Sequence, residues 1–258
     1  MNKHLALARR ARLRLLQMHR TAGVGHIGGN LSSLDAILYL HNDIMQESDL
    51  FVLSKGHSAG ALYVALWAIG EISDAQLDTF HQDGTQLAGH PVAGWHGRIA
   101  FATGSLGHGL ALAAGAALEK RLAGDDTSRV FCLLSDGECQ EGSIWEALIF
   151  ARHQKLSNLL VLVDANGLQG FGTTAEVATM EPWIDRFSGF GLAVSEIDGH
   201  DPAALDAALR CTQDGPKVVI LHTVKGRGVP FMEGRMEWHY LPMNDEQYQA
   251  AVTSVSAS

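Results

Sequence analysis

Asp136 and Asn166 stand about 30 residues apart, the span of one βαβ unit. Each follows a short apolar run that reads as a strand, Arg129–Leu134 before the first and Leu159–Val163 before the second. Strands joined by such a crossover run parallel and side by side, so the two side chains emerge at one sheet edge. A carboxylate, an amide oxygen and a backbone carbonyl make an oxygen set suited to Mg²⁺, which takes few protein oxygens and completes its octahedron with water and phosphate. Gly137 leaves room for a phosphate to approach, and a helix beginning near Gly142 aims its N-terminal amides at the same place. Asp and Asn also form turns without binding anything. The spacing alone leaves both readings open.

The elements that must position these residues alternate along the chain. Further strands are expected at Leu192–Ile197 and Lys217–His222, with a short one at Leu50–Leu53. Helical spacing covers Leu34–His41, Ala59–Ile69, Asp74–Phe80, Leu106–Leu122, Ser143–Gln154 and Pro202–Thr212, the last opened by an Asp201 cap and Pro at the first helical position. Strand and helix in alternation predict an α/β fold, a parallel sheet sandwiched by helices, with ligands at the edge where strands end. The loops at that edge are Ser135–Gly142, Asp164–Gly172 and Thr223–Gly228, all rich in glycine and polar groups. No repeat or linker divides the chain, so residues 1–258 are read as one domain.

Composition narrows the function classes. With 47% hydrophobic and 18% charged residues, and 28 glycines without a collagen-like period, the chain is globular. Its net charge of −9 and lack of a basic loop cluster argue against nucleic acid. Residues 1–34 hold Lys3, Arg9, Arg10, Arg12, Arg14 and Arg20 and no acid. We read them as a surface helix, with Leu5, Ala8, Leu13 and Leu16 inward and the arginines outward, rather than as a transit peptide. No apolar run reaches the ~18 residues that span a bilayer. Three cysteines without metal-ligand spacing fit a reducing compartment, the cytoplasm.

Seen together, the motifs resemble a family. Asp136-Gly137 followed by Asn166 resembles the thiamine diphosphate motif, with Ser135 in place of its usual first glycine. Gly25-His26-Ile27-Gly28-Gly29, Leu53-Ser54-Lys55-Gly56-His57, Gly89-His90-Pro91, Thr103 through Gly109, Ser135 through Ala147, Asp164 through Gly172, and Lys225 through Gly228 followed by Trp238-His239 resemble, in order, the N-terminal half of transketolase in its split form. The resemblance implies that Asp136, Asn166 and the Leu168 carbonyl hold Mg²⁺. It implies that His57, Gly137, Glu138 and His239 bind the diphosphate, and that Gly104 and Leu106 pack on the thiamine. It further implies that His26, His90 and His239 line the substrate funnel, with His26 and His239 expected near neutral pKa as general acid–base groups. Glu141 and Glu146 resemble acidic residues at the contact between subunits that share the cofactor, which makes Glu141 a further candidate for the catalytic set. The other histidines, His19, His41 and His200 among them, read as surface or satisfied core groups.

The same resemblance implies a thiazolium that adds to a ketose carbonyl and passes a two-carbon ketol unit from a ketose phosphate to an aldehyde. The family's activating glutamate and its sugar-phosphate arginines lie on a pyrimidine-binding module. The stretch after Gly228 is too short for one, so that module is expected on a separate C-terminal subunit, in an α₂β₂ heterotetramer. Tyr240 stands where glycine usually follows the final histidine, and Ile27, Asn30 and Val92 also depart from the pattern. These departures put ordinary pentose-phosphate substrates in question and add, as an alternative, an unusual acceptor in a dedicated pathway. Competing readings are a thiamine-dependent decarboxylating synthase, the α-chain of a 2-oxoacid dehydrogenase and a non-catalytic scaffold. A dinucleotide-binding reading of Gly104-x-x-Gly107-x-Gly109 lacks a preceding strand.

Overall fold

The computed structural model describes residues 2–211 and 214–257. The strands are β1 (Leu50–Leu53), β2 (Val130–Ser135), β3 (Leu159–Ala165), β4 (Leu168–Gln169), β5 (Gly172–Thr173), β6 (Ala193–Asp198) and β7 (Lys217–His222). Five of them form one sheet in the order β1-β2-β3-β7-β6, every pair parallel, while β4 and β5 make a small antiparallel hairpin. The central strands are buried almost throughout, which is why they read as unbroken apolar runs. Alternate side chains serve opposite faces. Phe131, Leu133, Leu160, Leu162, Val219 and Leu221 enter one core, whereas Cys132, Leu134, Val161, Val163, Val218 and Ile220 enter the other.

Helices α1 (Asn2–Ala22), α2 (Ile27–Tyr39), α3 (Ala59–Ala68), α9 (Pro202–Arg210) and α10 (Asp245–Ala257) pack over the first face. Helices α5 (Gly109–Leu122), α6 (Gly142–His153) and α8 (Trp183–Ser188) cover the second. Two short helices, α4 (Asp74–Leu77) and α7 (Thr174–Ala178), are each opened by a capping box. Asp201 caps α9, its carboxylate accepting from Ala203 N at 3.0 Å with Pro202 in the first turn, as read from the sequence. The predicted end of that helix, Thr212, lies outside the described residues.

Several expectations are corrected. The glycines after His26 belong to the first turn of α2, where a Cβ at Gly28 would stand only 3.1 Å from the Lys225 side chain and the Trp238 carbonyl. The helix expected from Leu34 therefore starts at Ile27, and a π turn over Leu40–Ile44 ends it. Helix α5 begins at Gly109, not Leu106, and α4 is a single turn. In α1, Leu16 is buried but Leu5 is exposed, while Arg14 turns inward to bond Asp74 and Asp78. Two acids on and just after α4 neutralise that guanidinium, which makes its burial tolerable. The patterning gave no warning of α10, whose Ala251 and Val255 enter the core and which packs on α1.

Candidate functional site

Because the sheet is parallel, the loops after β1, β2, β3 and β7 converge at one edge. Ser135 and Asp164 are register partners, so the two strand tips sit side by side. The Asp136 carboxylate accepts from Gly167 N at 2.7 Å, directly bridging the tips of β2 and β3. It also accepts from Gly137 N at 2.8 Å and Thr174 Oγ1 at 3.1 Å. Asn166 Oδ1 accepts from Leu168 N at 3.1 Å, so the amide and the following carbonyl belong to one tight turn. Asp136 is 2% exposed, and its donors are all neutral. Burial, with Asp164 adding to it, pushes its carboxyl above the ordinary range. Among the described residues no three His, Cys, Asp or Glu side chains converge as a metal site. The oxygens that could hold a cation at this edge are those of the Asp136 carboxylate, the Asn166 amide and the Leu168 carbonyl.

Helix α6 begins at Gly142 as read, and a 3₁₀ turn over Gly137–Gln140 stands between it and Asp136. One detail of this tip differs from expectation. The side of Gly137 where a Cβ would stand is covered by Gln169, whose Oε1 comes within 2.7 Å of that position.

Beneath the tip lies a buried ion pair that sequence reasoning did not assign. Lys55 Nζ donates to Asp164 Oδ2 and to the Gly29 carbonyl, the latter at 3.2 Å. Ser32 Oγ, at 2.6 Å, and Thr223 Oγ1 also donate to Asp164. Burial alone would raise the Asp164 carboxyl, but Lys55 and these donors hold it below its ordinary value. Lys225, also quoted only within a motif, donates to the Leu168 carbonyl at 3.1 Å and to His239 Nδ1 at 2.9 Å. Burial brings its ammonium down to about 8. The signal available in the sequence was Lys55 and Lys225 beside glycines at predicted strand ends, where a lysine can turn inward toward an acid.

Four histidines gather over this base. His26 lies 5.6 Å from His57, 6.4 Å from His90 and 5.3 Å from His239 between ring centroids. His57 and His239 are 5.8 Å apart. His26 sits at the N-cap of α2 with φ 64°, a left-handed conformation that is costly for a non-glycine residue. Its N–H is held by the His239 carbonyl at 3.1 Å. His239 ends a 3₁₀ turn over Met236–His239. The near-neutral pKa values expected for the funnel pair are not found. Burial, then His90 and Lys225, lowers His26, and burial with Lys225 brings His239 to about 3. Because Lys225 donates to Nδ1, the neutral His239 ring carries its proton on Nε2.

Gly104 carries φ 151° and packs against His90, whose Cδ2 lies 2.9 Å from where a Cβ would stand. His90, Thr103, Gly104, Ser105, His108 and Leu112 line an open groove there. Leu106 is half-buried next to it. Glu138 faces elsewhere. Its carboxylate accepts from Ser54 Oγ, from Gly107 N at 2.9 Å and from Ser135 N at 3.2 Å, so it fastens three loops together. Glu141, exposed at the start of α6, packs on Gly107 and does not join the histidines. Tyr240 bridges the mouth, its hydroxyl donating to the Gly170 carbonyl at 2.9 Å and its ring 4.6 Å from His239.

Residues 6–255 match the family described as transketolase, thiamine diphosphate binding domain. A protein of Phocaeicola vulgatus, named as one of the subunits of an apulose-4-phosphate transketolase, is 40% identical over 95% of this chain and 91% of its own length. A 6-deoxy-6-sulfo-D-fructose transketolase subunit from a Clostridium species is 37% identical over 90% of this chain and 89% of its own. The solved transketolase of Leishmania mexicana superposes with a TM-score of 0.90 at 25% identity, covering 98% of this chain but 41% of that one. Human transketolase likewise aligns over 92% of this chain and 39% of its own length. The chain belongs to the transketolase family and spans its thiamine diphosphate-binding domain.

Proposed function

We propose that this subunit holds the diphosphate end of thiamine diphosphate through Mg²⁺ and, with a C-terminal partner, transfers a two-carbon ketol unit from a ketose phosphate to an aldehyde. The observation that carries the proposal is Asp136, a buried carboxylate with neutral donors and no ion pair among the described residues, bonded to the turn that bears Asn166 Oδ1 and the Leu168 carbonyl. That donor set fits a divalent cation, which would supply the charge the carboxylate lacks. Thr103 Oγ1, buried and without a hydrogen-bond partner among the described residues, lies at the groove beside Gly104 and is a polar group free to meet the thiamine end.

When bound, thiamine diphosphate would supply a carbon acid whose conjugate base is the nucleophile for the ketose carbonyl and the carrier of the transferred unit. In this reading Lys225, His57 and the Gly137 backbone face the diphosphate. His239 presents Nε2–H to a substrate oxygen, and His26, lowered by burial, accepts a proton from a substrate hydroxyl. His90, at the rim, holds the hydroxyl of the transferred unit. Glu138 keeps the loops at this geometry, and Glu141 faces the subunit contact. The partner brings the pyrimidine-binding module, and the two chains form an α₂β₂ assembly in the cytoplasm. Exposed Leu112, Ile149 and Phe150 on α5 and α6 provide an apolar surface of the kind subunit contacts cover.

Tyr240, with exposed Phe171 and Leu241 nearby in sequence to the mouth, narrows the entrance. Together with relatives named for apulose-4-phosphate and a sulfo-sugar, this favours a dedicated substrate over the common pentose phosphates. The test is ketol transfer by the chain alone and with its partner subunit, given Mg²⁺, thiamine diphosphate and a panel of ketose phosphates. Turnover is expected only from the pair; full turnover by this chain alone rejects the division of labour.

A further inference from the structure

Gln169 takes no part in holding the cation or the substrate, yet its side chain lies at the centre of the site. It follows the Leu168 carbonyl directly and covers Gly137, with its Oε1 2.7 Å and its Cβ 3.1 Å from where a Gly137 Cβ would stand. Its Nε2 is buried and has no hydrogen-bond partner among the described residues. A buried amide donor left without an acceptor is destabilising, so it is rare without a purpose.

Looseness does not account for it. The hairpin on which it stands is pinned by pairing of Leu168 with Thr173 and Gln169 with Gly172. On either side, Lys225 holds the Leu168 carbonyl at 3.1 Å and Tyr240 holds the Gly170 carbonyl at 2.9 Å. Filling the space over Gly137 does not account for it either, since leucine or methionine has similar bulk and no polar group to leave unpaired.

We infer that the Gln169 carboxamide is a diphosphate-binding group, its Nε2–H donating to an oxygen of a diphosphate bound beside Gly137. The inference rests on the cofactor reading proposed for this site. A neutral amide adds a directed donor without adding charge, which Lys225 and the divalent cation already supply, and a bond to an ionised oxygen is stronger than one between neutral groups.

The test is calorimetric titration of the assembled pair with thiamine diphosphate, and separately with inorganic pyrophosphate, at fixed Mg²⁺. Wild type is compared with Gln169→Leu and Gln169→Glu, and each protein is also melted without cofactor. Gln169→Leu is expected to weaken both ligands about tenfold while leaving the cofactor-free Tm unchanged or higher. Gln169→Glu, which faces the diphosphate with a like charge, is expected to lose more. Unchanged affinity in Gln169→Leu, a loss confined to thiamine diphosphate, or a lower cofactor-free Tm overturns the inference. Failure of the wild-type pair to bind either ligand overturns instead the cofactor reading beneath it.

Discussion

Asp164 and Asp136 end neighbouring strands of one sheet, and both are buried, yet their surroundings are opposite. Asp164 is closed: a lysine, two hydroxyls and the Asn166 amide, the last at 3.3 Å, satisfy it within the chain. Asp136 is open: two backbone amides and a hydroxyl orient it, and no cation among the described residues neutralises it. The first arrangement is what a scaffold needs, because a satisfied buried pair holds loops from β1, β3, β7 and α2 in fixed relation. The second is what a binding site needs, because a charge brought by a ligand would complete it. The histidines above continue the second pattern, with rings gathered around a space and held from behind by backbone and Lys225.

The comparison breaks most visibly if the closed pair is cut. Lys55→Met leaves Asp164 buried and unpaired, and about 3–5 kcal/mol of stability should be lost in urea unfolding. Asp136→Asn keeps an acceptor for Gly167 N and removes the uncompensated charge, so it should cost less than about 1 kcal/mol while abolishing the stabilisation that Mg²⁺ with thiamine diphosphate gives wild type. Equal losses from both substitutions, without ligand, would erase the distinction. Next in size is His26→Ala, which should slow transfer roughly 10²–10⁴-fold and leave cofactor affinity near wild type. Loss of affinity instead would move His26 from the substrate to the cofactor side.

A pH titration sharpens the same contrast. His239, His19 and His41 fall to about 3, 4 and 3 in the folded chain from 6.5, chiefly through burial. The unfolded chain therefore binds more protons below pH 6.5, so stability is full above that pH and falls as pH drops through the window toward 4. Each histidine contributes a slope of about 1.4 kcal/mol per pH unit. Denaturant unfolding from pH 7 to 4 should show the decline, and His41→Leu should remove one proton from the slope. A flat profile would mean that these rings are not buried neutral. The smallest effect is expected from Tyr240→Phe, which removes the hydroxyl bond to Gly170. It should change stability by about 1 kcal/mol or less and alter KM across acceptors of different length more than kcat. Unaltered acceptor preference would free Tyr240 of any part in selection.

Much of the fold was legible because burial on both faces makes strands such as Lys217–His222 unmistakable, and their order requires crossovers. The Asp136–Asn166 convergence followed from the same rule. Other features were hidden for physical reasons. The first turn of α2 carries Gly28 and Gly29, poor helix formers, and is held by packing rather than propensity. Leu5 fits the helical period but lies in the first turns of α1, where no neighbour covers it. Glu138 stands beside the metal motif, and only its three partners show that it serves the loops. The lowered histidine pKa values depend on burial and on Lys225, neither of which spacing reveals.

Periodicity and order along the chain determine that strands are parallel and that their ends share an edge, because those follow from local pattern and the handedness of crossovers. Which polar groups at that edge are already satisfied is settled only in three dimensions. Lys55 reaches Asp164 across 109 residues and Ser32 reaches it across 132, while Asp136 is bonded by neutral donors and Gln169 Nε2 finds no acceptor among the described residues. Hydrogen-bond partners are chosen by distance in space, and that distance is what folding creates.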